Sequence, residues 1–568
     1  MIGARGGAPP GGLTRRTDSD ELSRVRLPAV YLGVLCTLMA CGGDEHNRRA
    51  SPTPTATATA AASNTSAPTA TRAIPSPTSS PLPSTATPGP SATSTAMVTA
   101  TFPPTDIVTA TPSPTPTITQ PRLPTFPPLE PLAIHADADW IRDAQDRVVI
   151  LRGANYSGLE FGNFLGHPHG PAESDFAQMA SWGFNVIRLP IAWNYMEPQP
   201  NQLDDTYLRE QVDVVIDFAA RHGMLTILEL HQFFWSPCFT GGNGAPPWAC
   251  AGHGYPDSFN GALRAGCEFI AGAAAPDGRT LQDHFIDVWR MIARRYAGDR
   301  RVAGFDFLNE PSPVACGADA TDITHSLYQL YRRVRDAVGS AGASQTFFLE
   351  PTLLRNIGSP ITPEPFGPDV VYAPHLYTQT GGSADLQYNG DARAITADYE
   401  QAAIEAADFN GPLFVGEFGG NTDAERGFRA ATEAFLRDSL AEQDRRLIGG
   451  AVWAYFPSDN TFSVVDANEN EKGELVDILA RPFARRIAGV PTAMHFDLDS
   501  KEFEFSWRVT ADQAGKVTEL FLPVRHYPTG FGVQLPAGSA LQFGTADQTA
   551  YIAVDEPGEY TLRFRPSP

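Results

Sequence analysis

Two carboxylic acids stand out by their setting. The stretch Val302-Ala303-Gly304-Phe305-Asp306-Phe307-Leu308-Asn309-Glu310-Pro311 is apolar, too short for a helix, rich in phenylalanine and closed by proline. It has the pattern of a buried strand that delivers Asn309 and Glu310 side by side at its C-terminal end. Pro412-Leu413-Phe414-Val415-Gly416-Glu417-Phe418-Gly419 has the same grammar and ends in one carboxylate. A lone Glu at a strand end is as readily a solvated or salt-bridged rim residue. Two of them, each after an apolar strand and each in a turn marked by Gly or Pro, supply what cleavage of a glycosidic bond requires. One serves as acid and the other as nucleophile or base.

These side chains can meet only if the strands lie side by side. From Trp140 onward the sequence alternates between short apolar runs and helical patterns. Strands are predicted over 147–156, 185–191, 225–231, 302–311, 346–351, 369–377, 412–419 and 448–456. Helices are predicted over 174–182, 206–222, 281–296, 394–407 and 425–442, with a long insertion rich in Gly, Pro and aromatics from 232 to 280. Near-continuously apolar strands followed by helices indicate a parallel (β/α)8 TIM barrel over 132–488, whose chemistry sits at the C-terminal strand ends. After Ala488 the rhythm changes to short alternating strands with Gly/Pro turns, which predicts a small antiparallel β-sandwich over 489–568.

Asn-Glu-Pro after the fourth strand and a lone Glu after the seventh resemble the retaining β-glycosidases of glycoside hydrolase family 5, the cellulase-like family. The resemblance implies that Glu310 is the general acid/base and Glu417 the nucleophile, with Asn309 bound to the sugar 2-OH. It puts Arg188 beneath the nucleophile and makes His231 the strand-three histidine, although Glu229 stands where the family usually has Asp. His375 and Tyr377, in Tyr372-Ala373-Pro374-His375-Leu376-Tyr377, end the sixth strand, and the Tyr377 hydroxyl is expected to orient Glu417. Trp453 in the eighth strand would stack on a sugar ring.

Within the family, His231-Gln232 followed by Ser236, the Gly-rich 241–244 and Pro247-Trp248 resembles the endoglycoceramidases. So do Phe462-Ser463-Val464-Val465-Asp466, Leu479-Ala480-Arg481-Pro482-Phe483 and Ile487-Ala488-Gly489-Val490-Pro491. That branch implies cleavage between an intact oligosaccharide and ceramide. Phe233, Phe234, Trp235, Trp248, Tyr255 and Phe259 are expected to line an apolar groove for the lipid. The alternatives are another family 5 β-glycosidase or endoglucanase acting on a different β-linked glycan or aglycone, and a lipoprotein that binds glycans without cutting them.

The rest of the chain speaks to location. Arg15, Arg16, Arg24 and Arg26 precede an apolar run from Leu27 to Ala40, too short to span a bilayer and right for a signal-peptide core. It ends Leu38-Met39-Ala40-Cys41-Gly42-Gly43, which resembles a bacterial lipobox and implies a signal peptide over 1–40 and acylation of Cys41. The acidic residues between Asp18 and Glu21 suit a signal n-region poorly and point to a start downstream of Met1. Residues 41–131 hold much of the chain's 50 Pro in a Ser/Thr/Ala/Pro tract that cannot bury a core and reads as a linker. The expectation is an enzyme of the bacterial cell envelope, lipid-anchored and extracytoplasmic, or secreted.

A net charge of −22 argues against a nucleic-acid partner. Of the six cysteines, Cys36 and Cys41 belong to the signal region, leaving Cys238, Cys250, Cys267 and Cys316 as disulfide candidates. Three connectivities are possible, and proximity favours Cys238–Cys250 and Cys267–Cys316. Their spacings lack a zinc-type pair, so no metal or other cofactor is expected.

Overall fold

The computed structural model describes residues 133–568, apart from 163–166, 168, 379–386 and 460, together with the backbone of residues 98–100. The expected signal segment, Cys41 and nearly all of the linker lie outside the described residues.

Eight parallel strands form a barrel: β1 (Arg152–Tyr156), β2 (Val186–Ala192), β3 (Leu225–His231), β4 (Val302–Asp306), β5 (Thr346–Leu349), β6 (Val370–Tyr372), β7 (Phe414–Phe418) and β8 (Gly449–Tyr455). Neighbours in sequence are neighbours in space, with β8 between β7 and β1. The ring closes between β6 and β7, where the Tyr372 amide donates to Pro412 O and the Leu376 amide to Glu417 O, both at 2.9 Å. Every residue of β2 and of β3 is buried, as strands covered on both faces must be.

The two-residue period of a strand sorts these side chains. Val186, Leu225, Ile227, Phe348, Val371, Phe414 and Ala451 fill the barrel's interior with an apolar plug. Ile187, Leu189, Ile191, Leu228 and Leu230 belong to the larger core beneath the helices. The next positions up the same interior face are Arg188 on β2, Glu229 and His231 on β3, Glu350 just beyond β5 and His375 beyond β6. The interior therefore turns from hydrocarbon to charge within about 7 Å, two residues of rise. Gly304 makes room for this packing: a Cβ there would lie 2.6 Å from the Phe348 ring.

The surrounding helices are α1 (Glu173–Ser181), α2 (Asp213–Arg221), α3 (Phe259–Ile270), α4 (Leu281–Tyr296), α5 (Ala320–Ser340), α6 (Ala392–Phe409), α7 (Arg429–Arg446) and α8 (Gly473–Leu479). α4 spans the predicted 281–296, capped by Thr280 Oγ1, which accepts from the Asp283 amide at 3.1 Å. The predicted helix over 206–222 divides into a π-helical turn, Leu208–Val212, and α2. α5, absent from the sequence expectation, is capped by Asp319.

The second unit begins earlier in the chain than expected. Its seven-stranded sheet includes Ile134–Ala136, Ile141–Asp143 and Val148–Val149 beside Phe483–Ile487, and only Arg152–Tyr156 of the predicted first strand enters the barrel. The assignment of all of 132–488 to the barrel is corrected accordingly. The reason is local: Asp143 accepts from Arg147, and the Ile150 amide donates to Arg485 O, which carries the chain across from one unit to the other. Opposite lies a five-stranded sheet, and the two enclose Phe505, Trp507, Leu520, Phe521, Phe531 and Phe564. All the named pairings in these two sheets are antiparallel.

Candidate active site

Arg188 is the centre of the barrel mouth. Its guanidinium is fully buried, and each of its five N–H groups has an acceptor. Nε donates to Asp306 Oδ2 at 3.0 Å, Nη1 to Asn155 Oδ1 at 2.9 Å and Glu417 Oε1 at 2.8 Å. Nη2 donates to Glu350 Oε1 at 2.7 Å and Asn309 Oδ1 at 3.1 Å. Burial opposes the charge, but the carboxylates of Glu229, Asp306, Glu350 and Glu417 outweigh it and hold Arg188 firmly protonated.

Glu417, at the end of β7, also accepts from the Tyr377 hydroxyl at 3.0 Å. Burial pushes its carboxyl above the usual range, against the downward pull of His375 and Arg188. Glu310 occupies a left-handed backbone conformation, φ 43°, which a non-glycine residue adopts only when its surroundings impose it. Its amide donates to Glu350 Oε2 at 2.9 Å, and Gln232 Nε2 donates to the carbonyls of Asn309 and Glu310 at 3.0 and 3.2 Å. Those bonds aim the side chain, whose Oε1 accepts from Asn356 Nδ2 at 2.7 Å. Burial raises Glu310 too, but the His375 hydrogen bond and charge outweigh it and leave the carboxyl below its ordinary value.

His375 lies between the two acids. Its Nδ1 is 3.1 Å from Glu310 Oε1 and 3.5 Å from Glu417 Oε2, and its Nε2 is 3.2 Å from Glu350 Oε1. Burial disfavours the imidazolium, yet Glu350 and Glu417 push it well above the usual histidine range. Donor atoms of Glu310, His375 and Glu417 all fall within 4.8 Å of one another. On the opposite wall, burial depresses His231, whose Nδ1 is 3.0 Å from Glu229 Oε2. The longer Glu229 thus reaches both His231 and, at 3.6 Å, Arg188. The Trp453 indole lies parallel to the His231 ring, with centroids 5.6 Å apart.

Arg188, His231, Asn309, Glu310, His375, Tyr377, Glu417 and Trp453, all singled out in the sequence, therefore converge. Asn155, Glu350 and Asn356 join them unannounced. Glu350 had a signal: Leu349-Glu350-Pro351 places a Glu-Pro after an apolar strand, as Glu310-Pro311 does beyond β4.

The insertion departs from expectation in one respect. Trp235 is only 2% exposed and packs on Phe269 at 4.8 Å, so it forms the loop's own core and does not line a groove. Phe233 and Phe234 are half-buried, their rings tilted against each other with centroids 4.7 Å apart, and Phe259 lies 6.0 Å from Phe234. Trp248 and Tyr255 are pinned by hydrogen bonds to Glu197 O and the Glu268 carboxylate. Disulfides Cys238–Cys250 and Cys267–Cys316 close the insertion on itself and tie α3 to the loop after Glu310.

Residues 143–456 match the cellulase family, glycosyl hydrolase family 5. The chain belongs to that family. Residues 481–563 match the glycoside hydrolase family 5 C-terminal domain, so this glycoside hydrolase carries both parts. Endoglycoceramidase I of Rhodococcus hoagii (strain 103S) is 28% identical over 472 residues, covering 77% of this chain and 89% of that protein. A glucosylceramidase of Rhizopus delemar is 26% identical over 248 residues, covering 32% of this chain and 36% of that one. Among solved structures, endo-glycoceramidase II from Rhodococcus sp. in its ganglioside GM3 complex superposes with a TM-score of 0.65 at 23% identity. That match covers 76% of this chain and 100% of the other, and it establishes likeness of fold.

Proposed function

We propose that this family 5 glycoside hydrolase cleaves β-glycosidic bonds with retention, and that its substrate is a glycosphingolipid cut into intact oligosaccharide and ceramide. The observation that carries the mechanism is the approach of Glu310 and Glu417 donor atoms to within 4.8 Å. Retaining pairs stand about 5–5.5 Å apart, whereas inverting pairs leave about 6.5–9.5 Å for a water. Glu417, aimed by Arg188 and Tyr377, attacks the anomeric carbon. As that bond forms, the carbon–oxygen bond to the aglycone breaks and Glu310 gives its proton to the leaving oxygen. Water then attacks the glycosyl-enzyme, Glu310 takes its proton, and Glu417 leaves as carboxylate.

In the free enzyme the two acids are shifted against these roles, Glu417 upward and Glu310 downward. The Glu310–His375 hydrogen bond resolves this, since it stores the proton that the leaving group needs one transfer away.

The lipid reading rests on the likeness to endoglycoceramidase I and on Phe233 and Phe234, which adjoin Gln232 and hence Glu310. Each methylene buried there is worth about 0.8 kcal/mol. Such remote binding energy can raise turnover as well as affinity. The test is to offer the purified enzyme a glycosylceramide in detergent, the same oligosaccharide on a short aglycone, and a soluble β-glucan. The glycolipid should be cut fastest and its oligosaccharide released whole. Phe234→Ala should narrow the preference for the glycolipid while sparing an activated aryl glycoside. Sugars released singly, or a glucan cut equally well, would replace the substrate with another β-linked glycan.

Membrane attachment through an acylated Cys41 completes the proposal and would hold the enzyme at the cell envelope beside a lipid substrate. No described helix is long and apolar enough to cross a membrane. Cys41→Ser is expected to move the protein from membranes to the soluble fraction. Membrane retention of that variant would assign the attachment elsewhere.

A further inference from the structure

Outside the catalytic mouth, three side chains from distant parts of the chain meet. His167 comes from the loop that follows β1, Asp175 from the first turn of α1, and Glu469 from the segment after β8. His167 Nδ1 lies 3.9 Å from Asp175 Oδ2 and 3.7 Å from Glu469 Oε1. The histidine side chain is fully buried. Its Nε2 is 3.0 Å from Ser157 O, a carbonyl that can only accept, so the Nε2 proton is engaged there. The other nitrogen faces two carboxylates, and Nδ1 has no hydrogen-bond partner among the described residues. Glu469 Oε1 likewise has none.

We propose that His167, Asp175 and Glu469 bind a divalent transition-metal ion, zinc or manganese, that clamps the loop after β1 to the segment after β8. One imidazole and two carboxylates are the donor set of such ions, and ligand atoms at about 2.1 Å in tetrahedral array stand about 3.4 Å from one another. The two carboxylate oxygens stand 3.7 and 3.9 Å from His167 Nδ1, and all three ligand atoms lie within 4.8 Å of one another, so the set must contract around an ion. The surroundings fit the same reading. A ligating histidine characteristically gives its second N–H to a carbonyl, and ligating carboxylates are themselves hydrogen-bonded. Here Ser157 O takes that part, while Asp175 Oδ2 accepts from Tyr156 Oη at 2.7 Å and from the Ala172 amide at 3.2 Å. Gln178 Nε2 donates to Glu469 O at 3.3 Å and holds the third ligand's backbone against α1.

The test uses the untagged folded enzyme, stripped with chelator and titrated with zinc or manganese by calorimetry, with metal counted after dialysis. One ion per chain and a raised melting temperature are expected. His167→Ala should abolish that uptake, and Glu469→Gln, in a half-exposed loop, should weaken it by about tenfold or more while leaving the circular dichroism unchanged. With cobalt as probe, the visible d–d bands should vanish in His167→Ala. Glu310→Gln, which alters the other His/Glu cluster, should bind as wild type does. No uptake at millimolar metal, uptake unchanged in both His167→Ala and Glu469→Gln, or uptake lost in Glu310→Gln would each overturn the assignment.

Discussion

Replacing Glu417 with alanine should all but abolish turnover, and added azide should restore it while yielding a glycosyl azide of inverted configuration. The variant opens a space into which Arg188 Nη1 and the Tyr377 hydroxyl still point, and a small anion can enter there on the face that Glu417 attacks from. Glu310→Ala should behave differently. Its loss should slow cleavage of poor leaving groups by about 10²–10⁴-fold, the usual worth of a general acid, while aryl glycosides with acidic leaving groups are still cleaved readily. Azide should then give a product of retained configuration, because the second step no longer needs a base. Finding the two phenotypes exchanged would reverse the roles. The pH profile adds a check on sign. Glu417 must be ionised to attack and is raised by burial, so activity should fall on acidification from a pH above the ordinary glutamate range. On the alkaline side it should fall as the proton shared by Glu310 and His375 is lost.

What could be read in advance followed from strands buried on both faces. In such a strand a polar residue that closes the apolar run marks the rim, which is why Asn309, Glu310 and Glu417 could be found from the pattern, while the family resemblance pointed to Arg188 and His375. Their pairing could not be read this way. That Arg188 reaches Asn155, Asp306 and Glu350 depends on strand stagger around a closed ring, and stagger is set by pairing over more than a hundred residues. Asn356 was hidden for another reason: it sits in a 3-10 turn, where no period distinguishes inward from outward. In the Gly- and Pro-rich insertion an aromatic that lines a groove and one that plugs the loop look alike, and Trp235 proved to be the second kind. The segment 134–149 was misplaced because its strands are two or three residues long and are tied to the rest of their sheet only through Val148–Val149, whose partners Arg486 and Ile487 lie more than three hundred residues away.

Arg188→Ala should be the most destabilising single change in the barrel, and the loss should depend on pH in a defined direction. The substitution leaves Glu229, Asp306, Glu350 and Glu417 in one buried pocket without the cation that links them. Removing one partner of a buried ion pair costs about 3–5 kcal/mol, and here one cation serves four acids. The acids would respond by taking up protons. Glu229 and Asp306 are already pushed well above their ordinary values by burial, even against the opposing pull of Arg188. Without it their folded-state values rise further above the unfolded ones, so the folded variant binds more protons than the unfolded chain. Stability then increases as pH falls through the raised values and is lost as pH rises through them. Thermal melts should therefore show a wide gap between variant and wild type at about pH 8 and a narrower gap at about pH 5. Arg188→Lys should fall between the two, since an ammonium restores the charge but offers three donors where five are used. A variant that melts with wild type at the higher pH, or a gap that widens on acidification, would mean that the four carboxylates do not depend on Arg188 for their charge.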